Sequence, residues 1–408
     1  MQYHVLSLVN EMGVEVDFVG YGGSAPLSAI QRSDKVRIHL LKAFRSPVPI
    51  PYLLYAVCKV ALESIQLVWI MLIRAPRPLF ILAQNPPSIP VLAWCVVICL
   101  LRRASFLIDF HNFGYTMLAM KLGQGHPLVK ISYVYEWVVS RCAVGGFAVT
   151  KAMQIWLKEN WQVSSVVLYD RPADRFKETD LASQRDLFLR LEKDGALQRL
   201  EGWTSGSISN IFVDQNLSKP QSRPQIMVSS TSWSPDENFD LLVEALPGIE
   251  EHLQRGSKRL VIFITGKGPL RAAFENKVSQ LSLKQVAIVC VWLAVDDYPR
   301  LLGCCDFGLS FHTSSSGLDL PMKVVDMFGA GLPVCSASFL ALPELVRHGE
   351  NGMVFDDAKS LLDCITHCLT ALDPAQERKW RAAVRLFREF GWTQQWRNVA
   401  LPELNRVS

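Results

Sequence analysis

Residues 314–333, SSSGLDLPMKVVDMFGAGLP, bring small hydroxyl residues, a lysine and a carboxylate within a few positions of one another. Residues 306–312, just ahead, alternate like a buried parallel strand, and the run MKVVDMF after Pro321 has the period of a helix start. The loop between them is therefore a strand-to-helix turn. Backbone amides in the first turn of a helix lack intrahelical partners and carry the positive end of the helix dipole, so such a turn holds a diphosphate without a dedicated metal. Met322, Lys323 and Val324 form that first turn, and Lys323 adds a mobile full charge. Asp326, three residues on and along the same face, can accept two hydroxyl hydrogens of the kind a ribose offers. An isolated K-x-x-D reads equally well as a solvated lysine and a capping aspartate. Its neighbours decide between the two.

Three other segments of the second half, and the residues that open the central one, follow strands with compatible chemistry. Ser230, Thr231, Ser232 and Trp233 follow a strand where small hydroxyl residues allow close backbone approach and donate to phosphate or sugar oxygens. Gly266, Lys267 and Gly268 follow the next strand and bring a second lysine; the P-loop spacing is absent. Trp292 follows the third. His312, Ser315, Ser316 and Gly317 precede the central motif and could line a sugar pocket.

In the first half, the segment DFHNFGY, residues 109–115, ends a strand. Asp109 and His111 are two apart and share a face, so the carboxylate can orient the imidazole or raise its basicity. His111 fits a catalytic base, a group that contacts the sugar, or a structural histidine satisfied by Asp109. Glu136, in YEWVVSR, is a second candidate base or one half of a helical ion pair. Asn85, Asn112 and Tyr115 sit at strand ends where an acceptor would be met.

The elements that must position these residues come in two alternating series. After a helix at residues 1–12, strands are expected at 14–20, 36–40, 79–83, 105–110, 146–149 and 165–168. A second series begins at residue 225, with strands at 226–230, 260–265, 286–291, 307–311, 333–337 and 353–355. Helices between strands predict an α/β chain of two doubly wound domains facing across a cleft, with ligands at the carboxyl ends of the strands. The boundaries read 1–170 for the acceptor-side domain, 171–224 for a linker and insertion, and 225–385 for the nucleotide-sugar domain. Residues 386–408 form a closing helix that packs back on the first domain.

The Pro-x-Lys-x-x-Asp segment resembles the donor site of GT-B glycosyltransferases. The longer string HTSSSGLDLPMKVVDMFG is similar to a narrower group, the chitobiosyldiphosphodolichol β-mannosyltransferases. The resemblance implies transfer of mannose from GDP-mannose to GlcNAc2-diphosphodolichol with a β-1,4 linkage, on the cytosolic face of the endoplasmic reticulum membrane. It implies an acidic helix residue on the ribose, a basic one on the diphosphate, the base held at Trp292, no tightly bound cofactor, and a divalent cation as a stimulant rather than a requirement. Making a β-linkage from an α-linked donor implies inversion, which takes one displacement and one base. Expected partners are the lipid-linked acceptor, the membrane surface and other mannosyltransferases of the dolichol pathway. Two alternatives stand beside this reading: a retaining mannosyltransferase of that pathway, and a non-catalytic scaffold. In the resembled family an anchor, a first strand and a Gly-rich turn precede the first helix. A chain opening at the helix implies their absence, two strands left unpaired on one edge, and activity in question.

Composition narrows the classes further. At 408 residues the chain exceeds one ordinary core and accommodates two domains. A net charge of +4 and no basic runs interleaved with aromatics argue against nucleic acid. Half of the residues are hydrophobic, high for a freely soluble enzyme and suited to a membrane surface. Residues 52–73 form an apolar helix whose Lys59, Glu63 and Gln66 fall on a single stripe; flanked by Arg45, Arg74 and Arg77, it can lie in an anionic headgroup layer or be buried against a sheet. The ten cysteines show no metal-ligand spacing and read as reduced core residues.

Overall fold

The computed structural model describes residues 1–23, 25–44 and 51–407. Arg45 lies outside the described residues. The chain divides into two compact units, Met1–Tyr169 with Trp392–Ser408, and Asp170–Gly391.

In the first unit, helix Gln2–Met12 ends where Gly13 enters the left-handed region at φ 69°, donating its N–H to the Val9 carbonyl. Six strands follow: β1 (Val16–Tyr21), β2 (Val36–Leu41), β3 (Phe80–Asn85), β4 (Ser105–Phe110), β5 (Gly145–Ala148) and β6 (Val166–Val167). All ladders are parallel, yet they form two sheets, β1-β2 and β3-β4-β5-β6. Among the described residues, β1 and β3 each keep one edge without a partner strand. Strand β4 is buried from Phe106 to Phe110, so whatever leaves its carboxyl end is held by core packing.

Residues after Gly391 return to this unit. Trp396, Ala400 and Leu404 pack with Leu8, Leu107, Phe147 and Leu168, and the Trp392 indole N–H donates to Ser7 Oγ at 2.9 Å.

Helix Tyr52–Trp69 continues through a wider turn, Ile70–Arg74. Its inner face holds Leu67 and Ile70, packed with Leu41. Glu63 is also inward and buried, and Gln66 exchanges two hydrogen bonds with the Lys42 backbone. The apolar residues Val57, Ile65, Trp69 and Ile73 point outward, each more than half exposed.

The second unit carries β7 (Gln225–Ser230), β8 (Leu260–Thr265), β9 (Val286–Val291), β10 (Phe307–Ser310), β11 (Val334–Ala337) and β12 (Gly352–Phe355) in one parallel sheet. The order β12-β11-β10-β7-β8-β9 puts the reversal of strand order between β7 and β10. In doubly wound sheets, ligands bind outside the strand ends at that point. Two apolar clusters cover the faces of the sheet.

Residues 171–224, expected to be linker and insertion, do more than connect. Helix Leu181–Lys193 buries Gln184, Leu187, Phe188 and Leu191 along one face, and Phe188 stacks on Phe212 at 4.1 Å. The charges that mask this face lie on its solvent side. Much of the serine content downstream serves Glu192, which accepts from Ser207 Oγ and the amides of Ile208 and Ser209.

Candidate active site

At the end of β7, the residues after Ser230 turn sharply: Trp233 sits at φ 52°, and its amide donates to Thr231 Oγ1 at 2.7 Å. Buried Glu237 anchors the turn, accepting from Thr231 Oγ1 at 2.5 Å and from the Ser232 amide at 3.0 Å. The same carboxylate pairs with Lys323 Nζ. Lys323 is thus a braced charge, not the mobile one expected. A buried carboxylate in place of water restricts it to the carboxyl end of β7.

Asp326 is braced differently. Its carboxyl is pushed up to about 7, chiefly by burial, with the Arg175 guanidinium and a hydrogen bond from Tyr298 opposing and Asp170 adding to the rise. Tyr298 in turn accepts from Ser230 Oγ at 3.0 Å. Helix Met322–Gly329 is therefore tied to β7 twice, through Lys323–Glu237–Thr231 and Asp326–Tyr298–Ser230. Glu237 and Tyr298 escaped sequence reading, since neither lies in a recognisable motif.

His312, beyond the end of β10, has Nδ1 3.5 Å from Asp236 and Nε2 3.5 Å from Asp319. Burial disfavours its charge, but the two carboxylates outweigh burial and raise the imidazolium to about 9. It is a cation at neutral pH. Asp319 also accepts from Ser314 Oγ, which takes the Gly317 amide at 2.8 Å, while Ser316 Oγ takes the Leu318 amide. Ser315 lies in the same loop.

Lys267 stands 4.4 Å over the Trp292 ring, which is 60% exposed. Gly266, at φ 137°, and Gly268 are small for a local reason: an added Cβ would lie 1.7 Å from the Thr231 carbonyl oxygen and 1.9 Å from that of Ser232. The loops after β7 and β8 touch backbone to backbone there.

Several expected donor contacts are corrected. The Trp233 ring is buried among Phe239 and Phe274, so it props the turn from beneath. Val324 is fully buried in the core, and its amide donates to the Pro321 carbonyl. Met322, by contrast, is exposed.

In the first unit, His111 Nε2 lies 2.9 Å from Asp109 Oδ2. Asp109 is buried. Burial raises its carboxyl, but His111 and His4 outweigh that and hold it well below the ordinary range. Glu136 is corrected from base to structural anchor: fully buried, it accepts from the Gly114 and Tyr115 amides at 3.1 and 2.6 Å, at the start of helix Gly114–Leu122. Its carboxyl is raised by burial. Asn85 is likewise enclosed, donating to Glu136 and to the Asn112 carbonyl and accepting from Ser88 Oγ, so it shapes the 112–115 turn without exposed surface. Asn112 Oδ1 accepts the Phe113 amide, and Tyr115 packs on Phe113 and Tyr133. No group of three or more candidate metal-binding residues occurs among the described residues.

Residues 223–371 match the family described as glycosyl transferases group 1. The chain is 38% identical to chitobiosyldiphosphodolichol beta-mannosyltransferase of Mus musculus, over 99% of this chain and 86% of that protein. It is 36% identical to the enzyme of that name from Kluyveromyces lactis, over the same shares. It is also 38% identical to the UDP-glycosyltransferase TURAN of Arabidopsis thaliana, covering 100% and 94%. Among solved structures, sucrose-phosphate synthase from Thermosynechococcus elongatus aligns with a TM-score of 0.65 at 13% identity, covering 99% and 91%. Anabaena HepE in complex with UDP and glucose aligns at 0.64 and 14%, covering 98% and 96%. At such identities the structural likeness establishes the GT-B fold, two Rossmann-like units, and nothing finer.

Proposed function

The chain belongs to the chitobiosyldiphosphodolichol β-mannosyltransferase family, and from that premise we propose how its residues divide the reaction. It is a glycosyltransferase of the dolichol pathway, adding a β-mannose to chitobiosyldiphosphodolichol. The donor is GDP-mannose. The second unit holds it at the β7–β10 reversal, with Asp326 on the ribose, Lys323 and Lys267 on the diphosphate, Trp292 beside the base, and His312 with the 315–317 loop on the sugar. The observation carrying this reading is the double tie of helix Met322–Gly329 to β7, which sets a lysine and a carboxylate side by side at the switch point.

In the first unit His111 is the base. Oriented by Asp109 at 2.9 Å, its imidazole takes the proton from the acceptor hydroxyl. That oxygen forms the new bond at the anomeric carbon as the bond to the diphosphate oxygen breaks; GDP departs with the electron pair, and the configuration inverts. Charge grows on the leaving diphosphate, so fixed cations stabilise the transition state more than the bound donor. Asn112 and Tyr115 bound the acceptor region.

The membrane reading rests on helix Tyr52–Trp69 and its continuation. Leu54–Arg74 is long and apolar enough to cross a bilayer, and only 17% of its most apolar window is buried. With Glu63 and Gln66 turned inward and Arg74, Arg77 and Arg103 exposed nearby, it lies along the headgroup layer of the endoplasmic reticulum, cytosolic side, beside the lipid-linked acceptor. Other mannosyltransferases of the pathway are its expected neighbours there.

The test is transfer of labelled mannose from GDP-mannose to a GlcNAc2-diphospholipid by the purified chain in detergent, with the product digested by a β-mannosidase. A β-linked product that UDP-mannose does not yield supports the reading. An α-linked product overturns inversion, and preference for the UDP-sugar overturns the donor.

A further inference from the structure

Asp109 does not face His111 alone. His4 Nε2 lies 3.4 Å from the same Oδ2, on a side chain that is 2% exposed. His4 Nδ1 lies 3.2 Å from the indole nitrogen of Trp396, a fully buried residue. An indole N–H can only donate, so Nδ1 of His4 must be the acceptor and its proton must sit on Nε2, toward Asp109. The other rings on His4, Phe147 at 5.4 Å and Trp392 at 5.1 Å, do not titrate. The row Trp396–His4–Asp109–His111 thus has one consistent assignment of donors and acceptors. It joins the first helix, the end of β4 and the C-terminal segment, all within the first unit.

We infer that His4 and Trp396 are positioning residues for the transfer reaction, acting through Asp109 on His111. Trp396 sets the tautomer of His4. His4 then satisfies one lone pair of Asp109, keeps the carboxylate ionised in a buried site, and limits how tightly it holds the proton of His111. The inference rests on the reading of His111 as base.

His4→Phe keeps a ring but removes the donor, leaving Asp109 to be satisfied by His111. The imidazolium is then held more strongly, so the acidic limb of the kcat–pH profile moves to higher pH by about one unit, and kcat at pH 7 falls roughly tenfold, one hydrogen bond's worth. His4→Gln, whose amide N–H stands in for Nε2–H, restores the parent limb. Trp396→Phe, which frees the His4 tautomer, gives an intermediate displacement and carries the test if His4→Phe does not fold. Nitrogen NMR of the His111 ring, read with and without GDP, reports its tautomer and titration independently of turnover. Should His111→Ala remain active, the base reading fails, and the ring spectra still decide the positioning row. A folded His4→Phe or Trp396→Phe with the parent limb and an unchanged His111 spectrum overturns the inference.

Discussion

Helix Asp240–Gly256 in the second unit and helix Tyr52–Trp69 in the first obey opposite rules. The former buries Leu242, Leu246, Ile249 and Leu253 and turns most of its charges to solvent. The latter turns Glu63 and Gln66 inward and presents Val57, Ile65 and Trp69 outward. A helix in water pays for such an inversion with exposed apolar surface, at about 25 cal/mol per Å2. The difference teaches that an apolar helix face is covered within its own unit in one case and left uncovered in the other. The second unit covers its apolar residues with a charged surface and sets braced charges at its strand ends. The first unit leaves the apolar side chains Val57, Ile65 and Trp69 uncovered and buries Asp109 between two imidazoles.

That contrast can be broken most strongly at its catalytic end. His111→Ala should lower kcat by about 10^2 to 10^4, the usual weight of a general base, while GDP-mannose still protects the chain from heat. Loss of protection together with rate would move His111 from base to donor contact.

Lys323→Ala should cost about 10^2 to 10^3 in kcat and, by leaving buried Glu237 unpaired, about 3 kcal/mol of stability. Adding Glu237→Gln should restore the melting temperature and not the rate. If the double variant regains both, Lys323 is merely structural.

Ile65→Asp with Trp69→Asp should reduce binding to anionic vesicles at least tenfold and leave heat protection by GDP-mannose unchanged, because a carboxylate is expelled from the headgroup layer. Vesicle flotation at parent levels would show that this face meets something other than lipid.

The smallest effect is thermodynamic. Asp326 has its folded-state value raised from 3.8 to about 7, so folding disfavours the charged form. The penalty is absent below the unfolded value, grows as pH rises, and is complete above 7. Asp326→Asn should therefore melt higher than the parent at pH 8, by a few degrees, and close to it at pH 4, while donor affinity falls at both. A pH-independent offset would contradict the burial of this carboxyl.

Much of the second unit was legible because parallel strands buried on both faces are continuous apolar runs, and because its site lies in short segments following them. Residues 314–333 carried the family in a local pattern. Strand β4 was read with its observed limits, and helix Gln2–Met12 with its glycine stop. What was misread had opposite surroundings in space. Glu136 looked like a base because a carboxylate carries no mark of burial in the sequence; three hydrogen-bond donors from other segments and Ser132 of its own helix enclose it. Trp233 looked like a ligand contact because a left-handed residue can drop its ring into the core beneath the loop it belongs to.

By itself the sequence determined the alternation of elements, the order of the two units and the family, since these depend on periodicity and short-range spacing. The tertiary structure alone decided which charges are paired and which carboxylates are buried. Lys323 meets Glu237 across 86 residues, and His4 meets Trp396 across 392. Such partners carry no spacing signal, because the free energy that joins them comes from desolvation in a shared core rather than from the chain between them.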